Sequence, residues 1–182
     1  MELPITEQLL QLNEIDQTRF DEKLYQTLLL GVFEALCKDI RKNDAWGIER
    51  EKYRKYSNKT TAAKKLVSSY IGCSLTEEGY ERMAELLTAF FSAGDSRKQF
   101  DIEYREKLIK QQNRKCAICN KSIDINNSHL DHIVPWDYVG DCLKNNYQML
   151  CGTCNTRKGK STYFELSMLL LNRRDADKEK MF

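Results

Sequence analysis

From Phe20 to Arg41, apolar and small residues recur with a helical period. Leu24, Thr27, Leu28, Gly31, Ala35 and Ile40 fall near i, i+3, i+4 and i+7 with charges between them, which predicts an amphipathic helix. The same period predicts a helix from Thr60 to Ile71 closed by Gly72, and another from Thr76 to Ala93 closed by Gly94. Glycine is the residue that most easily takes left-handed backbone at a helix exit. The only prolines are Pro4 and Pro135, so little interrupts helices across the first hundred residues. AGDSRKQFD, from Ala93 to Asp101, breaks the pattern as a linker or tight turn. A short charged helix is expected from Ile102 to about Asn113. Beyond it the pattern changes to short β-prone runs, SHLDHIV and YQML, separated by the turn-rich WDYVGDCLKNN. Helical pattern returns from Thr162 to Leu171, where Phe164, Leu166, Met168, Leu169 and Leu170 give an apolar face, and NRRDADKEKMF reads as a frayed end.

The expected class is α+β and mostly helical. Residues 1–95 form a helical region, and residues 96–182 form a small domain of two strands and a helix with a further C-terminal helix. With 41% hydrophobic and 31% charged residues, 182 residues suit one soluble domain or two small ones. No stretch of 18 apolar residues occurs, so no membrane span is expected. The N-terminus lacks the basic and apolar pattern of an export signal, which places the protein in the cytoplasm. The net charge of +2 is uneven: residues 1–100 carry −1 and residues 101–182 carry +3. That excess is too small to specify a nucleic-acid partner by itself.

Two stretches of the first hundred residues deserve weighing as nucleic-acid readers. Helices on either side of Gly72 fit a helix-turn-helix, but Glu77, Glu78 and Glu81 open the second one, which suits an αα-hairpin better than a phosphate contact. Arg50 to Lys65 holds seven basic residues interleaved with Tyr53 and Tyr56, a pattern open both to nucleic-acid contact and to a solvated helix face.

Seven cysteines in a cytosolic chain argue for metal rather than disulfides. Cys116 and Cys119 form one C-x2-C pair and Cys151 and Cys154 a second, whereas Cys37, Cys73 and Cys142 stand alone. Four thiolates close a tetrahedral zinc site and leave no open position, so this zinc is structural. Cys142 is expected to be a small, semi-buried loop residue. Trp136 is expected to pack under the hairpin. The 31 residues between the knuckles exceed ordinary zinc-ribbon spacing, so something else is built there.

Between and after the knuckles stand Asp131-His132-Ile133-Val134-Pro135, Asn146, and Cys154-Asn155-Thr156-Arg157-Lys158-Gly159-Lys160. Over about residues 102–162 this array resembles the HNH endonucleases in their four-cysteine form. Asn146 at +14 and Asn155 at +23 from His132 resemble the spacing in the HNH domain of CRISPR effector nucleases. Asn155 stands where the family name has histidine, a substitution that many members resemble.

The resemblance implies a ββα-metal nuclease cutting DNA, with His132 as the base that activates water. A neutral imidazole near pH 7 suits that task. It implies Asp131 and Asn155 as oxygen ligands of Mg²⁺ or Mn²⁺, and Asn146 as the residue whose carbonyl accepts a hydrogen bond from the His132 ring. Arg157, Lys158 and Lys160 become candidate phosphate contacts, against a basic helix end in solvent. His129 is a weaker candidate, against a polar residue leading into the strand. The expected partner is DNA, with residues 1–95 serving recognition, homodimerisation or docking to a partner such as an ATPase. The expected setting is restriction or phage defence, with a mobile-element or homing nuclease equally compatible. The cysteines alone stay open to a second reading, a non-catalytic zinc module that binds nucleic acid or protein.

Overall fold

The computed structural model describes residues 5–12 and 15–171. The tail NRRDADKEKMF therefore lies outside the described residues. The elements run α1 (Ile5–Leu12), α2 (Gln17–Lys42), α3 (Trp46–Lys55), α4 (Lys59–Tyr70), α5 (Glu77–Ser92), α6 (Ile102–Gln111), β1 (Ser128–His132), α7 (Trp136–Val139), β2 (Tyr147–Cys151), α8 (Gly152–Lys158) and α9 (Phe164–Leu171). Helices dominate, and β1 and β2 form a two-stranded antiparallel sheet, as expected of the α+β class. No described helix is long and apolar enough to cross a membrane.

Helix starts follow local chemistry. Asn58, Thr76 and Asp101 each accept a hydrogen bond from the third residue onward, which satisfies one of the amides a helix start leaves unpaired. The exits differ more. Gly72 has φ +72° and its N–H reaches the Val67 carbonyl (3.1 Å), the left-handed closure expected of it. Ala93, by contrast, is extended after α5 (φ −59°, ψ 133°), so Gly94 is not the cap of that helix. The helix expected to reach Asn113 ends at Gln111, since Asn113 and Arg114 both take positive φ. The loop expected between the strands contains the single turn α7, closed by Gly140 at φ +53°.

By packing, the chain forms two compact units, each made of separated segments. One holds the described residues of 5–27, 101–131 and 148–171, the other 28–100 and 132–147. Composition changes near residue 96, whereas packing interleaves the two units along the chain.

The second unit is the larger core. Phe33, Leu36, Cys37 and Ile40 of α2 meet Ala63 and Val67 of α4 and Met83, Leu86, Leu87 and Phe90 of α5, with Val134, Val139 and Leu143 from the later segment. The buried stripe of α2 is thus Leu29, Phe33, Leu36, Cys37 and Ile40, not the stripe expected through Leu28, Gly31 and Ala35. Leu28 is 61% exposed. The period was right and the phase wrong, because Phe33 and Leu36 remove far more apolar area from water than Gly31 and Ala35 can. The Tyr53 hydroxyl reaches the Ala84 carbonyl (2.8 Å) from within this core.

The first unit gathers Ile109, Cys116, Ile118, Ile123, Met149, Leu150, Cys154 and Met168. Gln112, just after α6, donates to the Met149 carbonyl (2.9 Å) and accepts from the Met149 amide (2.8 Å). That amide side chain continues the hydrogen bonding of β2 and holds the approach to the second cysteine pair.

Candidate active site and metal centre

In the first unit, Asn120 takes positive φ and its N–H reaches the Cys116 carbonyl (3.0 Å), a turn that aims Cys116 and Cys119 the same way. The Ala117 amide donates to the Met149 carbonyl (3.2 Å), which ties this knuckle to β2 and so to Cys151 and Cys154. All four sulfurs lie within 4.8 Å of one another, and Cys119 and Cys151 Sγ are 3.7 Å apart. A disulfide would bring sulfurs to about 2.05 Å. Tetrahedral bonds of about 2.3 Å to zinc would separate them by roughly 3.8 Å. The cluster therefore fits a single four-thiolate metal ion.

Its electrostatics agree. Burial raises the Cys116 thiol, but backbone N–H groups from Cys119, Cys151 and Ile118 outweigh it and lower its pKa, favouring thiolate. Burial and the neighbouring sulfurs push Cys154 up, a cost that a divalent cation removes.

Asp131, at the end of β1 in the same unit, has one carboxylate oxygen engaged twice. Oδ2 lies 2.9 Å from Lys158 Nζ and accepts from Gln148 Nε2 (3.0 Å). Lys158 is 3% exposed, so the residue expected on flanking phosphates is instead a buried partner of Asp131. Its place on α8 accounts for this: three residues after Asn155 it faces the sheet, while Arg157 and Lys160 remain exposed. The Arg157 guanidinium lies 5.8 Å over the Phe164 ring. His129 is exposed on β1, and its Nε2 would sit 3.6 Å from a Cβ at Gly152. Asn155 is half-buried on α8.

The second unit holds His132 and Asn146. Asn146 is 2% exposed, its Oδ1 accepts from the Val134 amide (2.8 Å) and its Nδ2 donates to the Val134 carbonyl (2.9 Å). Its side chain therefore clamps the backbone two residues beyond His132, where the resemblance implied a hydrogen bond from the His132 ring. The backbone of the same residue accepts from the Ile133 amide (3.0 Å).

The ring partner is Asp141, which sequence reasoning missed. His132 Nε2 donates to Asp141 Oδ1 (2.9 Å), which also accepts from the Tyr147 hydroxyl (2.9 Å). Oδ2 accepts from the Lys98 amide (2.8 Å) and Trp136 Nε1 (3.2 Å). A carboxylate offers about four acceptor positions, and all are used. Burial raises the Asp141 carboxyl, yet these four donors outweigh it and hold it at about 2. An ionised acceptor can face only a protonated nitrogen, so Asp141 fixes a proton on the Nε2 side of the ring. Nothing in WDYVGDCLKNN separates this aspartate from an ordinary turn residue, since its four donors come from positions 98 to 147.

Two neighbours depart from expectation. Trp136 opens α7, bonded to Asp141 and covered by Arg97 (4.7 Å to the ring), instead of lying under the hairpin. Cys142 is exposed, not semi-buried, with its thiol directed to the Ser92 carbonyl (3.2 Å).

Residues 116–171 match the family model of the HNH endonucleases. Over 61 residues the chain is 34% identical to a CRISPR-associated endonuclease Cas9 of Corynebacterium diphtheriae. That stretch covers 33% of this chain and 6% of the relative, so the chain spans a small fraction of the protein it matches. No solved structure matches the chain significantly.

Proposed function

With residues 116–171 an HNH endonuclease segment, we propose that the protein is a metal-dependent endonuclease that hydrolyses DNA phosphodiester bonds. The observation that carries this reading is the ring of His132 held by a saturated carboxylate. An Asp141 whose side chain is 5% exposed and fully hydrogen-bonded, aimed at one imidazole nitrogen, costs desolvation that a passive strand residue would not require.

His132 takes the proton of the attacking water, and Asp141 stabilises the imidazolium that forms. Asn146 keeps the following backbone in place through Val134. Asp131 and Asn155 offer oxygen donors of the kind that suits Mg²⁺ or Mn²⁺, whose chemistry there is to neutralise charge at the leaving oxygen. Arg157, Lys160 and His129 are exposed candidates for phosphate contact. The four cysteines hold structural zinc. To residues 1–95 we assign substrate recognition, and to residues 96–182 the chemistry. The biological setting is restriction or phage defence.

Purified protein with Mg²⁺ is expected to nick or linearise plasmid DNA, and His132→Ala to abolish this with zinc content unchanged. Binding without cleavage under Mg²⁺ or Mn²⁺ would favour a non-catalytic zinc module and remove the enzymatic reading. In cells, the parent and not His132→Ala should lower phage plating.

A further inference from the structure

The basic and aromatic stretch from Arg50 to Lys65 folds into α3 and α4, and between these helices lies a cleft of about 770 Å³. Glu49, Lys52, Tyr53 and Tyr56 line it from one side at helical spacing, and Lys65, Leu66, Ser69 and Tyr70 from the other. That volume lies within the range of small-molecule sites. The whole cleft belongs to one packing unit, apart from the zinc cysteines.

Its chemistry is divided by depth. Tyr53 and Leu66 are buried, while Lys52, Lys55 and Lys65 are exposed lining residues. Lys59 does not join this rim, because its ammonium is spent on the carbonyls of Tyr53, Arg54 and Tyr56 at the end of α3. Lys65 lies over the Tyr56 ring (5.0 Å) and donates to its hydroxyl (3.1 Å). Among these groups stands one acid, Glu49, only 9% exposed. Its carboxylate accepts from Lys52 (2.8 Å), and burial followed by the nearby Glu49 charge pushes the Tyr70 phenol's pKa up. One such partner leaves a carboxylate with acceptor capacity to spare.

A solvated basic helix face needs neither a cleft nor a buried acid within it. The half-buried rings of Tyr56 and Tyr70 suit a flat aromatic ring, the three ammoniums suit phosphates, and a carboxylate accepts from an exocyclic amine as it does from cytosine N4. We propose that the α3–α4 cleft binds a nucleotide of a polynucleotide strand, taking an amino-bearing base against Glu49 with Lys52, Lys55 and Lys65 on the flanking phosphates. The proposal rests on the DNA substrate of the reading above but not on cleavage.

The test is a titration of His132→Ala protein, without added divalent ion, with fluorescent 12-nucleotide oligo-dC and oligo-dT, so that its outcome is independent of whether the chain cuts DNA. Oligo-dC is expected to bind about fivefold tighter than oligo-dT, the scale of one hydrogen bond of about 1 kcal/mol. Ser69→Trp, an exposed position, should fill the cleft and weaken both about tenfold. Glu49→Gln should abolish the preference for dC. The Lys52→Gln/Lys65→Gln pair should reduce the salt slope by about 1.4, two single-strand phosphate contacts at about 0.7 each. Circular dichroism of each variant verifies folding. Equal affinity for the two oligonucleotides in the parent, or Ser69→Trp binding as the parent does, overturns the proposal. Loss confined to the lysine variants does so too, since it marks a charged surface without a base site. Absence of oligonucleotide binding also overturns it, and returns the cleft to a protein ligand.

Discussion

Asp141 carries opposite consequences for stability and for chemistry, and both are measurable. Its folded pKa of about 2 lies below the ordinary value of 3.8, so its contribution is fully present above pH 3.8 and is lost as pH falls toward 2. That difference, at about 1.4 kcal/mol for each tenfold change in proton affinity, corresponds to about 2–3 kcal/mol. Urea unfolding from pH 5 to pH 2 should show that loss in the parent, and Asp141→Asn should remove this part of the pH dependence. The same variant should cut DNA about 10- to 100-fold more slowly, the usual cost of losing the partner that orients a functional imidazole. A neutral-pH rate equal to the parent's would remove Asp141 from the mechanism. At this scale the sequence was legible where chemistry is written in residue type and spacing, as in the cysteines and His132. It was silent on Asp141, whose four donors come from other parts of the chain. It misassigned Asn146, because an amide can serve a ring or a backbone equally well and only the fold decides.

The elements show a similar division. Periodicity located α2, α4, α5 and α6 to within a few residues, since caps such as Asn58 and Thr76 and the exit at Gly72 are local. It mistook the buried face of α2, because which stripe is covered depends on α4 and α5 and not on α2 alone. On and just after α8 the sequence offered three basic residues as phosphate contacts, and burial separated them. Lys158 pins α8 to β1 through Asp131, both nearly inaccessible. Removing one member of such a pair leaves an uncompensated buried charge and costs about 3–5 kcal/mol. Lys158→Met should therefore lower stability to urea by that order in chelated buffer. Added Mn²⁺ should return part of the loss, because a cation at Asp131 replaces the missing ammonium. A Lys158→Met protein as stable as its parent would show the contact to be incidental.

For the whole molecule, the chain passes from one packing unit to the other after Thr27, Phe100, Asp131 and Tyr147. A composition profile detects the change near residue 96, but only the packing shows that each unit is assembled from distant segments. In the first unit the two knuckles join segments 101–131 and 148–171, so a metal ion held there would tie together its core around Cys116 and Cys154. The core of the second unit, built on Phe33, Val67 and Phe90, contains no member of that cluster. Structural zinc of this kind contributes folding free energy on the order of 10 kcal/mol. Two classes of metal should then separate by ligand softness. Brief treatment with EDTA should stop cleavage reversibly while the four-thiolate zinc stays bound and the far-ultraviolet spectrum is unchanged. A mercurial that blocks the thiols should release zinc, detected with a colorimetric dye, and calorimetry should then lose one transition while the transition of the second core persists. Cys119→Ser should reproduce the mercurial result without any reagent. Zinc release that leaves both transitions in place would mean that the cluster is not what holds the first unit folded.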